Sequence, residues 1–317
     1  MKKSLYMSRS DRWQHFSKIG RNVIWTGAKL VVLFGISFII LFPLISKIST
    51  SIMPAKELHD ATIAFIPRNP TLENYLTVIK HIKYFEALKN TATISLLASS
   101  LQVFVSIFVG YGLAKFKFRF RGIVLALIVF TIMVPPQTVL ISLYMKFRFF
   151  DVFGVLSALT GGSVNFINTI WPVMILSSTG LAFKNGLYIF IMRQYYKGIP
   201  EELEEAAYVD GSGVFRTFFL IIVPMLKPMM VVIFLLAFAW QWTDYFYSSV
   251  FFSSFNVLSN GVLRAGTIHD LGVMSHTLLG NAMINAASIL LIIPLIVIYL
   301  FVQKKLIQGI ERSGIVG

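Results

Sequence analysis

Five of the chain's fourteen acidic residues crowd into ten positions: Glu201, Glu202, Glu204, Glu205 and Asp210. Clustered carboxylates can act as a general acid/base pair or hold a metal ion, but both roles need companions. The companions are missing. The five histidines stand at positions 15, 59, 81, 269 and 276 without metal-ligand spacing, and His269 and His276 read as loop residues. Cysteine is absent, which excludes a disulfide framework, a thiol nucleophile and a Cys-based zinc site. No Gly-x-x-x-x-Gly-Lys-Ser/Thr phosphate cradle occurs, so the chain is read as having no ATPase site of its own. What the cluster does have is helix chemistry. Pro200 suits a first helical position, and carboxylates in a first turn complement the positive end of the helix dipole. Ala206 and Ala207 favour helix without bulk, and Asp210-Gly211 supplies a stop in which Gly takes the left-handed cap. A second helical run over 214–225 follows. The surface so built is either a solvated connector or a lever that a partner approaches closely.

The elements around it decide where such a lever would sit. The chain has 317 residues, 56% hydrophobic and 13% charged, with a mean hydropathy of +0.75. A soluble domain is about 45–50% apolar and about 25% charged. Crossing about 30 Å of hydrocarbon takes roughly 20 apolar residues, and six stretches qualify: 30–46, 91–114, 122–144, 170–192, 228–247 and 281–302. The prediction is one membrane domain over 30–302, with an N-terminal segment 1–29 and a tail 303–317. The first stretch lies too deep and lacks the cleavage site of a signal peptide, so it reads as a retained helix.

Lys and Arg orient the spans. With the N-terminus inside, 18 of the 28 cations fall in inner segments, 9 in outer ones, and Lys184 within a span. Both termini are thus expected in the cytoplasm of a multi-pass protein of the cell membrane. The net charge of +14 then reports topology rather than nucleic-acid binding, and the loop Lys115-Phe-Lys-Phe-Arg-Phe-Arg121 is read the same way. The leader 11–21, with Trp13, Phe16 and Ile19 among cations, fits an interfacial helix or a basic tail. Outer segments 47–90 and 248–280 exceed the roughly 12–15 residues of an ordinary connector and are expected to be docking surfaces or lids. Within the first, Leu72, Tyr75, Leu76, Ile79 and Ile82 predict a helix over 71–88.

Polar residues inside spans are candidates for a translocation path. Lys184 is the one cation well inside a predicted span, with Asn185 beside it. Trp240, Trp242 and Tyr245 surround Gln241 and Asp244, a set able to stack on and hydrogen-bond a sugar, or to form an interfacial aromatic belt. Asn281 and Asn285 share one face of the last span, while Ala286 and Ala287 suit close packing. Pro135-Pro136 and Pro294 should kink their helices.

Glu205-Ala206-Ala207, Gly211 after three further residues, then Ile221 and Pro224, resemble the "EAA" loop of the membrane permeases of binding-protein-dependent ABC importers. Arg193-Gln-Tyr-Tyr, Asn74-Tyr75, Asn90-Thr91, Tyr111-Gly-Leu-Ala-Lys-Phe and Pro135-Pro136 look like the carbohydrate branch, similar to the smaller maltose permease subunit. The tail Gln303…Gly309…Gly314-Ile-Val-Gly317 agrees with that branch. Val223 replaces the usual Leu, and Val316 stands where Lys is common.

The resemblance implies an all-α polytopic fold of six transmembrane helices with a cytoplasmic coupling helix in the loop 193–227. Glu201, Glu204, Glu205, Ala206, Ala207, Asp210, Gly211 and Pro224 would couple to an ATPase that binds ATP and Mg²⁺, with Glu205 and its acidic neighbours meeting cations there. Gly309, Gly314 and Gly317 would face the same ATPase. Implied partners are a second permease, an ATPase dimer and an extracytoplasmic solute-binding protein. An oligosaccharide is the expected cargo; a peptide or an anion is the alternative, and an autonomous secondary transporter a further one, although the chain has one intramembrane charge and no clear repeat. The chain's lack of cysteine gives a direct check: a single Cys at position 205 should react with a membrane-impermeant reagent only from the cytoplasmic side.

Overall fold

The computed structural model describes residues 9–60, 62–63, 65–268, 272–275 and 277–314; for 9–23, 160 and 305–314 it describes the backbone alone. Gly317, Val316, His269 and His276 lie outside the described residues. Helices dominate, and the described residues contain no strand, only the isolated bridges Phe150–Val164 and Ile268–Val273.

Helix α1 (Arg9–Ser51) takes up both the basic leader and the first apolar stretch, so the leader continues the span and is not a separate interfacial element. Short α2 (Ala55–Leu58) and α3 (Glu73–His81) lead into α4 (Tyr84–Lys115). The run expected over 71–88 is divided at Lys83, whose φ of +49° ends α3 and starts α4. A bent pair follows, α5 (Arg121–Met133) and α6 (Pro136–Arg148), at 100° to each other. Pro136 has no N–H and Pro135 holds extended backbone, so the ladder stops there. After α7 (Val155–Thr160), the predicted fourth span divides into α8 (Trp171–Ser178) and α9 (Asn185–Lys197). Neither piece reaches crossing length alone. Positive φ at Gly180 (+79°) and Lys184 (+68°) turns the chain between them.

The acidic residues form α10 (Glu202–Val209). Then α11 (Val214–Thr217), a π turn (Phe218–Ile222) and α12 (Val223–Thr243) run on without interruption, so helical chain re-enters at Val214 with Pro228 inside it. Short α13 (Phe246–Phe251) and α14 (Leu258–Arg264) precede α15 (Leu278–Gly314). Among the described residues, four helices are long and apolar enough to cross a membrane, or five counting the α5–α6 pair as one.

The pillar is α4, which packs against α3, α8, α9, α12 and α14. Its buried face includes Thr91, Ser95, Ala98, Ser99, Gln102, Ser106 and Gly110. Lipid is as apolar as leucine, so helices gain little by burying large side chains and associate through small ones instead. The Ser99 and Ser106 hydroxyls donate back to the carbonyls of Ser95 (2.6 Å) and Gln102 (2.7 Å). The opposite face exposes Leu96, Leu97, Phe104 and Phe108. At Gly110 and Gly186 the absence of a side chain permits contact: a Cβ on Gly186 would sit 2.5 Å from Thr131 Oγ1 and 2.9 Å from the Ile128 carbonyl.

At the end away from α10, the two long segments clasp each other. Asn74 Nδ2 donates to the carbonyls of Ser51 and Met53, both at 2.9 Å, and the Tyr75 and Ser51 hydroxyls are 2.7 Å apart. Asn90 Nδ2 donates to Asn256 O (2.9 Å), Asn256 Nδ2 to Ile82 O (3.0 Å), and Leu258 N–H to Thr91 Oγ1 (2.9 Å). The buried Glu57 carboxylate accepts the N–H groups of Arg68 and Asn69. Gly186→Ala should force α5 from α9 and cost about 1–3 kcal/mol, measured as a lowered unfolding midpoint of the purified protein in detergent.

Candidate functional site

Helix α10 is short, and two faces of it differ sharply. Glu204 and Ala207 are buried, whereas Glu202, Glu205, Ala206 and Val209 are exposed, Val209 at 88%. That spacing of three and four residues is one helix face turned inward and another turned out. Glu201 is the N-cap, so Pro200 sits one residue before the cap rather than at the first helical position. The C-terminus is closed by Gly211 at φ +81°: its N–H donates to Tyr208 O (3.0 Å) and the Ser212 N–H to Ala207 O (2.9 Å). This is the Schellman arrangement, which pairs the last carbonyls of the helix. No atom lies within 4 Å of a Cβ built on Gly211, so backbone conformation alone requires glycine there.

Glu204 departs from the expectation that the acidic residues face a partner's cations. Its Oε1 lies 3.0 Å from Lys115 Nζ, and its Oε2 accepts from the Tyr111 hydroxyl at 3.3 Å. Tyr111 and Lys115, four apart on α4, therefore meet α10 from one face. Exposed Glu201 is 3.9 Å from the same lysine. Around this contact, Arg193 Nε and Arg121 Nη2 donate to the carbonyls of Leu113 and Ala114, satisfying the last turn of α4. The basic loop thus caps a helix and pairs a carboxylate as well as carrying charge. Read from the sequence, its cations report topology alone, since no local pattern names the helix they meet. Pro224 stands in the first turn of α12, just after the π turn. Proline lacks an N–H and clashes with the carbonyl four residues back, and the wider turn accommodates it.

The second group lies about 20 Å from α10, since 13 residues of α9 separate Lys184 from that end at 1.5 Å each. Lys184 occupies the break between α8 and α9 as N-cap of α9. Its Nζ sits 4.7 Å from the ring centres of both Phe183 and Trp240, and these rings meet edge-on at 5.8 Å. Phe183, Trp240, Gln102, Gln241, Asp244 and Tyr247 enclose a void of about 10 Å³, room for roughly one water. Asp244 ends α12, and its carboxylate accepts the N–H of Ser248 (3.1 Å) and of Tyr247 (3.4 Å), capping α13.

Several neighbours in sequence part company here. Asn185 is fully buried, its amide against Gly180 and away from the Lys184 box, with no hydrogen-bond partner for either side-chain atom. Trp242 is not one of the sugar-stacking set: it is 2% exposed and donates Nε1–H to Leu291 O at 2.9 Å. Asn285 accepts from Lys47 Nζ at 3.1 Å and joins α15 to α1, not to the Lys184 group. Gly309 and Gly314 lie within α15. Phe183 and Gln102 are the residues the spacing did not single out; packing of α4 and the α8–α9 turn against α12 brings both to Trp240.

Comparisons with known proteins agree on one family. Residues 102–312 match the model of the binding-protein-dependent transport system inner membrane component. The galactooligosaccharides transport system permease protein GanQ of Bacillus subtilis is 28% identical over 288 residues, covering 88% of this chain and 91% of that one. The sulfoquinovosyl glycerol transport system permease protein SmoH of Agrobacterium fabrum is 27% identical, covering 87% and 89%. The fold is similar to that of a chain in the crystal structure of a bacterial ABC transporter involved in the import of the acidic polysaccharide alginate. That match has a TM-score of 0.65 at 20% identity, covering 95% and 99%. With most of its length matched by the family model, and with helices long enough to cross a membrane, this chain belongs to the binding-protein-dependent transport system inner membrane component family and is an ABC importer permease.

Proposed function

We propose that the chain is one of two permease subunits of an ATP-driven importer for an oligosaccharide, coupled through residues 200–211 to a separate ATPase. The observation that carries this reading is the division of α10 into an inward face held by the protein and an outward face of Glu202, Glu205, Ala206 and Val209. Small side chains let a partner surface come close, and Glu205 offers it a charge. ATP and Mg²⁺ belong to that partner, present as a dimer. Gly309, Gly314 and Gly317 extend the ATPase-facing side.

Both termini are cytoplasmic in this reading, and the α8–α9 pair counts as a broken sixth crossing. Irregular backbone at membrane depth is tolerated where protein or a cavity surrounds it, and two N–H groups of the turn are paired across it: those of Leu181 and Ala182 donate to Leu176 O at 3.0 and 2.9 Å. The clasped far-end segments serve an extracytoplasmic solute-binding protein. The likeness to permeases for galactooligosaccharides and sulfoquinovosyl glycerol supports carbohydrate as cargo, and Phe183, Lys184, Trp240 and Asp244 line its path. An acidic saccharide is favoured by one specific observation: Lys184 lies over two aromatic rings, and neither ion pair among the described residues involves it.

Two experiments on the transporter reconstituted with its partners test this. Gly211→Val places a β-branched residue at positive φ, at a cost of about 1–2 kcal/mol, and should lower the solute moved per ATP hydrolysed at least fivefold. Transport at the wild-type ratio would remove α10 from the coupling. Lys184→Gln should raise the KM for an acidic oligosaccharide about tenfold, with Lys184→Arg near wild type; an equal KM in all three proteins would take Lys184 out of the path.

A further inference from the structure

A lever that docks on a partner would be expected to keep its carboxylates for that partner, yet Glu204 is turned inward and spent on Lys115. Both side chains of this ion pair are about nine-tenths buried, at 9% and 10% exposed. Taking two charges out of water carries a large desolvation cost, and removing one partner leaves the other buried and unbalanced. Such a pair persists where it fixes one arrangement.

The links from α10 to the rest of the molecule differ in stiffness. Towards α12 the chain passes the Gly211 turn and Gly213, neither of which has an atom near a would-be Cβ, and then the π turn at Phe218–Ile222. A wide turn inside a helix marks a place that yields. Towards α4 the link is a charged contact reinforced by the Tyr111 hydroxyl, with Ala207 buried beside it. The end of α4 is itself anchored by Arg193 and Arg121 on its last carbonyls. From there α4 runs unbroken for 32 residues, past Gln102 at the void beside Trp240, to the Asn90 and Thr91 bonds that hold the far-end clasp.

We propose that Lys115 and Glu204 are a positioning pair that makes α10 and α4 move as one body, so that α4, rather than the covalent path into α12, carries motion of α10 to the Trp240 void and the far-end clasp. This rests on the reading of α10 as the ATPase-docking helix. The physical element is a buried charge contact, 3.0 Å long, that ties α10 to the end of α4.

The test uses the whole transporter in liposomes, with transport and hydrolysis read in chains that keep Glu205 and a Cys at 205 introduced only into parallel samples for crosslinking to the ATPase. Lys115→Met and Glu204→Gln should each lower the solute moved per ATP about tenfold while crosslinking persists. The exchange Lys115→Glu with Glu204→Lys should recover that ratio to within threefold. Lys115→Arg, which keeps the charge but changes its reach, should assemble even if the other single variants do not, with the ratio lowered about threefold. A wild-type ratio in the assembled variants overturns the proposal, and so does a loss of transport, hydrolysis and crosslinking together that the exchange leaves unrepaired. Failure of the otherwise unmodified chain to crosslink at 205 removes the docking reading, and this proposal with it; the other outcomes remove this proposal alone.

Discussion

A backbone N–H or C=O left unpaired in hydrocarbon costs several kcal/mol, with no water to relieve it. Much of the described chain follows that constraint. Long stretches are helical throughout, and the Ser99 and Ser106 hydroxyls on α4 turn back to their own helix. The interruption before Lys184 shows how strict this is. Two successive N–H groups share the Leu176 carbonyl, and the Asn185 N–H reaches Ala182 O at 2.9 Å. At that break the half-buried Lys184 ammonium lies against two aromatic faces.

The same constraint governs the ends of the helices. The last carbonyls of α4 are met by Arg193 and Arg121, and those of α10 by the N–H groups of Gly211 and Ser212. Positive charge at the α4 terminus complements the helix dipole. It also gathers several cations in one place, and Glu204 is the buried carboxylate that offsets them. The basic loop therefore has two physical roles that coincide: it biases insertion, and it builds the contact that seats α10. Bulky apolar residues have a different task. Phe108, Tyr111, Tyr196 and Phe218 pack as a cluster of rings where α4, α9 and the π turn converge, with Tyr111 and Phe218 at 4.7 Å. Tyr111, Tyr196 and Phe218 are buried there, whereas Phe108 closes the cluster from the exposed face of α4.

Much of this was legible in the residues because the governing physics is local. Hydropathy along the chain is enough to place α1, α4, α12 and α15, since crossing length is a count of consecutive apolar residues. The left-handed cap at Gly211 follows from one dipeptide and the helix before it. Asn74, Tyr75, Asn90 and Thr91 stand out in the sequence, although their tasks do not: the first two close the 47–90 segment on itself, and the last two join it to 248–280. Hydropathy also ran too smoothly over 170–192: the break at 179–184 is made by turns at Gly180 and Lys184 that an average over apolar residues does not register.

The sequence by itself determined that the chain is helical and membrane-bound, where its cations concentrate, and that an acidic helix ends at Gly211. These depend on composition, periodicity and neighbouring residues. Only the tertiary structure decided that Glu204 turns inward while Glu205 turns out, that Trp242 is core and Trp240 is not, and that Phe183 and Lys184 meet α12. Each of these is a contact between segments far apart in the chain, Tyr111 and Glu204 by 93 positions. Which face of a helix meets which neighbour is settled by how the whole bundle packs, and no run of adjacent residues encodes it.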